Sequence, residues 1–182
     1  MSRIPAIDPD RATGQTQELL HRVESHIGFV PNIMRTMVHS PTILQGYLAF
    51  SDALSKGNLS PKFREQVALA VSEVNDCEYC LASHSAIGRS VGLSEEAIED
   101  SRKGHSTNPK EGIVLAFARN VVETRGWVSD QDVAKLRKVG FSQADIVELM
   151  ANISLTLFAN YFNHVAETDI DFPEVSELET RA

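Results

Sequence analysis

Residues 60–100 read SPKFREQVALAVSEVNDCEYCLASHSAIGRSVGLSEEAIED, and residues 108–148 read NPKEGIVLAFARNVVETRGWVSDQDVAKLRKVGFSQADIVE. Slid by 48 positions, the second stretch lies on the first without a gap. Pro61 meets Pro109, Lys62 meets Lys110, Ala68 meets Ala116, Ala70 meets Ala118 and Val74 meets Val122. Further along, Arg89 meets Arg137, Val91-Gly92 meets Val139-Gly140, Ser94 meets Ser142 and Ile98 meets Ile146. Each stretch opens with a Ser or Asn before a proline, which is a helix start, because proline suits the first helical position and the residue before it caps the free N–H groups. Each then reads helix, turn, helix, glycine and Ser-capped helix. Similar capping alone makes helical segments match at scattered positions. The gapless register, with V-G-(L/F)-S-x-x-x-I in both, points to a duplicated helical unit.

The same reading extends outward. Thr13 opens a periodic apolar stretch through Leu19, Leu20, Val23 and Ile27 that stops at Gly28. Pro31 and Pro41 each suit a first helical turn, Ser40 caps the second, and that helix runs through Leu44, Tyr47, Leu48 and Leu54 to Gly57. Asp76 is expected to cap a helix whose first turn is Cys77-Glu78-Tyr79 and which ends near Gly92. Ser94, with Glu95 and Glu96 at the positive helix end, caps another. Ser129 and Ser142 cap two more, the last apolar from Ile146 to about Val165. No alternating apolar–polar run bounded by hairpin turns occurs. The expected class is all-α, in one domain over residues 1–182: a helical extension (1–58), two repeat copies (about 60–100 and 108–148) and an acidic tail (about 167–182).

Composition excludes several functions. The chain has 182 residues, 42% hydrophobic and 23% charged, with a formal net charge of −8. An acidic chain lacks the basic face that a nucleic-acid partner needs. No apolar run approaches the ~20 residues of a membrane span, and the opening Met-Ser-Arg-Ile-Pro-Ala-Ile-Asp is not a signal peptide. A cytoplasmic location is expected. In a reducing compartment, a CxxC pair serves catalysis or metal binding more often than it staples a fold.

The chemistry gathers in one run: Glu65, Cys77, Cys80 and His84, with the chain's only two cysteines. On a helix, Cys77, Cys80 and His84 fall at i, i+3 and i+7, along one face. A helix N-terminus stabilises a thiolate there through its free N–H groups and positive dipole. His84, one turn on, is placed to hydrogen-bond Cys80 or shuttle a proton, and Glu65 acts as base if the preceding helix folds back. The repeat sharpens this reading, since the second copy has Ile113, Arg125, Val128 and Asp132 at the four positions. The competing reading is a zinc site, with two Cys, one His and Glu65 as fourth ligand, although no second CxxC exists. A structural disulfide closing so short a loop gains little entropy. Taken singly, Glu65 reads as a solvated helix residue and His84 as a surface histidine. The other histidines, His164 among them, show no ligand spacing. Neither metal nor cofactor is expected.

The pattern E-x11-C-x2-C-x3-H, at Glu65, Cys77, Cys80 and His84, resembles the core of alkylhydroperoxidase D-like proteins within the carboxymuconolactone decarboxylase family. Arg3-Ile4-Pro5, Gly28-Phe29-Val30-Pro31-Asn32 and Asn160-Tyr161-Phe162-Asn163 resemble its peroxidase-related branch, so the likeness spans about Arg3 to Pro173. It implies a compact all-helical fold with a duplicated unit, assembled as a homo-oligomer, a trimer or hexamer. By the resemblance, Cys80 attacks a hydroperoxide and becomes a sulfenic acid, Cys77 resolves it to a disulfide, and Glu65 and His84 carry protons. An external dithiol, in the family a lipoylated adaptor protein, then reduces the disulfide. Well-known members carry a relay histidine just before the second cysteine, where this chain has Tyr79. Decarboxylase members generally lack the CxxC.

Two rival functions remain: a dithiol disulfide reductase or redox sensor using the same residues, and a non-catalytic helical oligomer that binds a metal or small molecule. The last helix, with Leu149, Ile153, Leu157, Phe158, Tyr161 and Phe162, reads as apolar on more than one face. It belongs either at the centre of the domain or between subunits, where His164 would come near a neighbouring thiol site.

Overall fold

In a computed structural model, which describes residues 2–176 and 178, the chain between Pro9 and Ala166 is helix after helix, with no strand among the described residues. A 3-10 turn at Pro9–Arg11 precedes α1 (Gly14–Ile27), α2 (Asn32–Met37), α3 (Pro41–Ser55), α4 (Pro61–Val74) and α5 (Glu78–Ser90). Then come α6 (Glu95–Arg102), α7 (Pro109–Glu123), α8 (Asp130–Lys138) and α9 (Gln143–Ala166). The all-α expectation holds. No helix among the described residues is long and apolar enough to cross a membrane.

The shared V-G-(L/F)-S motif has a physical cause. At Gly92 and Gly140 the backbone is left-handed, with φ of 89° and 87°. In both places the following residue reaches back five positions, Leu93 N–H to Gly88 O and Phe141 N–H to Leu136 O. This is a Schellman closure, which glycine enters without steric cost. The serine two residues beyond each glycine then caps the next helix, Ser94 accepting from the Ala97 N–H and Ser142 from the Asp145 N–H.

Between these matching ends the two stretches diverge, and they diverge at the cysteines. Asp76 is not the cap of α5. It holds φ 55° in a Schellman closure of α4, with Cys77 N–H bonded to Ser72 O and Asp76 N–H to Glu73 O. Cys77 is itself the N-cap of α5, one position later than expected. In the second stretch the same closure falls at Arg125, φ 56°, one residue later in the 48-shift register. There α8 waits for Ser129, whose capping box with Asp132 starts it. The positions matching Cys77 to Cys80 are therefore a turn in one stretch and a helix start in the other.

The central helix is α4, which buries Phe63, Gln66, Val67, Ala68, Leu69, Ala70, Val71, Ser72 and Glu73. It packs on α5, α6, α7 and α9. One core joins its Val67, Ala70 and Val71 to Val114, Ala118, Leu136, Leu149 and Ile153. Long α9 is not the buried axis of the domain. Its Leu149, Ile153, Ala159, Asn160 and Asn163 are buried, whereas Val147, Phe158, Tyr161 and Val165 are exposed. The 1–58 extension folds over the cysteines: Leu19, Leu20, Ile33, Met37 and Leu44 share a core with Cys77, Tyr79, Cys80 and Ala159. The acidic stretch begins as a strap rather than a free tail. Glu167 pairs with Arg3 at 2.7 Å, and the Asn32 N–H and side-chain amide bond Asp171 and the Asp169 carbonyl at 2.7 and 2.9 Å. Its end, at Glu177 and 179–182, lies outside the described residues.

Candidate active site

The tight closure at Asp76 reverses the chain, so that α5 runs back along α4. Glu65 and His84 thereby meet: Glu65 Oε2 lies 2.7 Å from His84 Nδ1, with both side chains mostly buried. The carboxylate faces the imidazole. Burial pulls the imidazole pKa down, but the charge and hydrogen bond of Glu65 outweigh it, and the value ends above that of an ordinary histidine.

Cys77 caps α5 and Cys80 is three positions on, in the first turn, where backbone N–H groups have no helical partner. Both are free thiols and both are buried. Their environments push them apart. Cys80 is held below an ordinary thiol, chiefly by the hydrogen bond from Cys77 and, against burial, by Asn163 and Asn160. Cys77 is pushed well above one by its hydrogen bond to Cys80 and by burial. The difference favours the thiolate at Cys80 and the protonated thiol at Cys77.

Helix α9 supplies two groups that the sequence reading quoted but gave no role. Asn163 Nδ2 donates to Cys80 Sγ at 3.3 Å, and the Asn160 carbonyl oxygen lies 3.9 Å from Cys77 Sγ. Asn160 is itself fixed, accepting from Asn75 at 2.8 Å and donating to Ser72 at 3.1 Å. Two asparagines three apart in an apolar helix were the available signal, because buried amides require partners.

Cys80, His84 and Asn163 border a cavity of about 600 Å³. Its walls are largely apolar, with Ile33, Met34, Tyr47, Ile87 and Phe172 among them. Tyr47, from α3, carried no sequence signal beyond its apolar spacing. Burial, then the nearby Cys80 and Glu65, push its phenol well above the usual value, so it stays protonated. Tyr79, in the place of the relay histidine, is a wall anchor. Its hydroxyl accepts the Ile33 N–H at 3.1 Å and its ring meets Phe172 edge-on at 5.8 Å. Burial also raises its pKa far out of the neutral range, so the phenol does not substitute for an imidazole in proton transfer.

The donor set suits thiol chemistry better than zinc. Among the described residues no group of three His, Cys, Asp or Glu is placed to hold a metal ion. Glu65, the fourth ligand of that reading, is engaged by His84. His164 and Cys77 of the same chain both border a smaller cavity.

Residues 41–104 match the carboxymuconolactone decarboxylase family. No curated protein matches the chain. Among solved structures, the alkylhydroperoxidase AhpD core of an uncharacterized peroxidase-related protein from Ralstonia eutropha JMP134 is 25% identical, with a TM-score of 0.83. That match covers 93% of this chain and 92% of the other. An uncharacterized peroxidase-related protein from Silicibacter sp. TM1040 is 22% identical, with a TM-score of 0.80 and 92% of each chain covered. The debrominase Bmp8, in complex with 2,3,4-tribromopyrrole, is 19% identical with a TM-score of 0.80, over 94% of this chain and 92% of that one. The last two likenesses are of fold.

Proposed function

We propose that the chain, whose residues 41–104 match the carboxymuconolactone decarboxylase family, is an alkylhydroperoxidase D-like, thiol-dependent peroxidase working through Cys80 and Cys77. The observation that carries the reading is the joint placement of Cys80 and His84 on one cavity, with Asn163 donating to the sulfur and Glu65 bonded to the imidazole. A lowered thiol and a raised imidazole both favour the thiolate–imidazolium pair.

In the proposed cycle a hydroperoxide enters the cavity and the Cys80 thiolate attacks its terminal oxygen. The S–O bond forms, the O–O bond breaks, and the sulfur is oxidised to sulfenic acid while the peroxide is reduced to an alcohol. The leaving alkoxide takes its proton from the His84 imidazolium, whose charge Glu65 steadies until then. The Cys77 sulfur then attacks Cys80. Water leaves with the Cys77 proton, and a Cys77–Cys80 disulfide results. A dithiol returns both sulfurs to the reduced state.

The test is consumption of cumene hydroperoxide with dithiothreitol as reductant, corrected for the uncatalysed reaction. The wild type is expected to turn over and Cys80→Ser to fall to background. Equal rates in the two proteins would overturn the proposal.

A further inference from the structure

We infer that the reductant, an uncharged dithiol, approaches through a second cavity and attacks the sulfur of Cys77, so that peroxide and reductant never share a binding site. This rests on the dithiol couple proposed above. The second cavity, about 320 Å³, is bordered by Cys77, Glu78, His164, Thr168 and Ile170, among others, and Cys80 does not border it. Conversely, Cys80 borders the larger cavity and Cys77 does not. Tyr79 and Asn163 border both, forming the partition between them.

Two residues that border the smaller cavity carry unpaired polar atoms. Thr168 and Asn163, 8% and 4% exposed, both border it, and Thr168 Oγ1 and Asn163 Oδ1 are buried without a hydrogen-bond partner. Such groups are costly to leave unpaired. Asp76, Glu78 and Glu167 also border this cavity, Glu167 being paired with Arg3. The acidic surround disfavours a donor that carries carboxylates beside its thiols.

The direction of exchange agrees. Attack on one sulfur of a disulfide expels the other, and the more acidic thiol leaves faster. Cys80, whose thiolate Asn163 supports, is the better leaving group. In the first step the donor thiolate bonds to Cys77 Sγ, the Cys77–Cys80 bond breaks, and Cys80 departs as thiolate. The second donor thiol then attacks its own partner sulfur, and its proton passes to the released Cys77 thiolate. The donor ends as a cyclic disulfide, two electrons poorer.

The disulfide is first formed with diamide, so that the experiment does not depend on peroxide being the substrate. The oxidised wild type is mixed with 2-mercaptoethanol, quenched with N-ethylmaleimide and mapped by fragmentation mass spectrometry. Mercaptoethanol on Cys77 with maleimide on Cys80 is the expected product, and the reverse labelling overturns the inference. Thr168→Trp, which fills the smaller cavity, is expected to slow disulfide reduction by dithiothreitol about tenfold more than it slows oxidation by cumene hydroperoxide. Equal slowing of both half-reactions overturns it. If Thr168→Trp does not fold, the wild-type labelling decides alone. A diamide disulfide together with no oxidation by peroxide removes the peroxidase proposal and leaves the attack site to be read from the labels.

Discussion

Asn163 Nδ2 sits 3.3 Å from Cys80 Sγ, which makes an amide on the last helix a direct neighbour of the thiol on the fifth. A hydrogen bond to an ionised group is worth about 1.5–3 kcal/mol. Asn163→Ala is therefore expected to raise the Cys80 pKa and to slow sulfenic acid formation at neutral pH by about tenfold or more. Thiolate absorbance at 240 nm against pH reads the shift in a Cys77→Ser background. An unmoved titration would mean that the amide has no influence on the sulfur.

The Glu65–His84 pair has a pH signature. His84 is raised on folding, so the stability it contributes is complete below the unfolded imidazole value, about 6.5, and is lost as pH climbs through the folded value. Urea unfolding under reducing conditions should separate wild type from Glu65→Gln most at pH 6 and least at pH 9. The same variant should lower the peroxidase rate about a hundredfold, the usual scale for a positioned proton carrier. A constant stability gap across that range would dissociate the pair from the imidazole charge.

Tyr79→Phe removes the acceptor of the buried Ile33 N–H. Leaving a buried donor unpaired costs about 1–3 kcal/mol, so the melting temperature should fall by several degrees. The shape of the pH–rate profile should not change, because the phenol carries no proton in the proposed cycle. Loss of one limb of the profile would make Tyr79 a relay member after all.

Helix α9 exposes Tyr161 and Val165, 55% and 64%, together with Phe158 and, nearer its start, Val147. Exposed apolar side chains in this number on one helix are of the kind that a subunit contact buries. A homo-oligomer, the trimer or hexamer that the family resemblance implies, is the expected state in solution, and Tyr161→Glu with Val165→Glu should break it. Light scattering after gel filtration tests both. A 20.1 kDa species for the unaltered chain would leave these side chains without a partner.

Helix count, caps and the CxxC run were legible because they depend on neighbours in sequence. Ser94, Ser129 and Ser142 cap as read, since an N-cap serine acts over three residues. Asp76 misled for the same local reason: an aspartate ahead of a helix is a common cap, yet aspartate also tolerates the left-handed position that closes the helix before it. Contacts between distant segments were not legible. Nothing local in Tyr47, Ile33 or Phe172 tells that they wall a thiol cavity, and Asn163 finds Cys80 across 83 residues. The apolar α9 reads as a helix for the centre of the domain or for a subunit interface, and within the chain the short, half-polar α4 takes the centre. Its small residues, Ala68, Ala70 and Ser72, let neighbouring helices approach.

The assignment of the two thiols is the centre of the account, and sulfenic acid trapping with dimedone tests it most directly. After one equivalent of cumene hydroperoxide, Cys77→Ser should carry one dimedone adduct on Cys80, Cys80→Ser none, and the wild type a Cys77–Cys80 disulfide. An adduct on Cys77 in the Cys80→Ser protein, with none on Cys80 in Cys77→Ser, would contradict it.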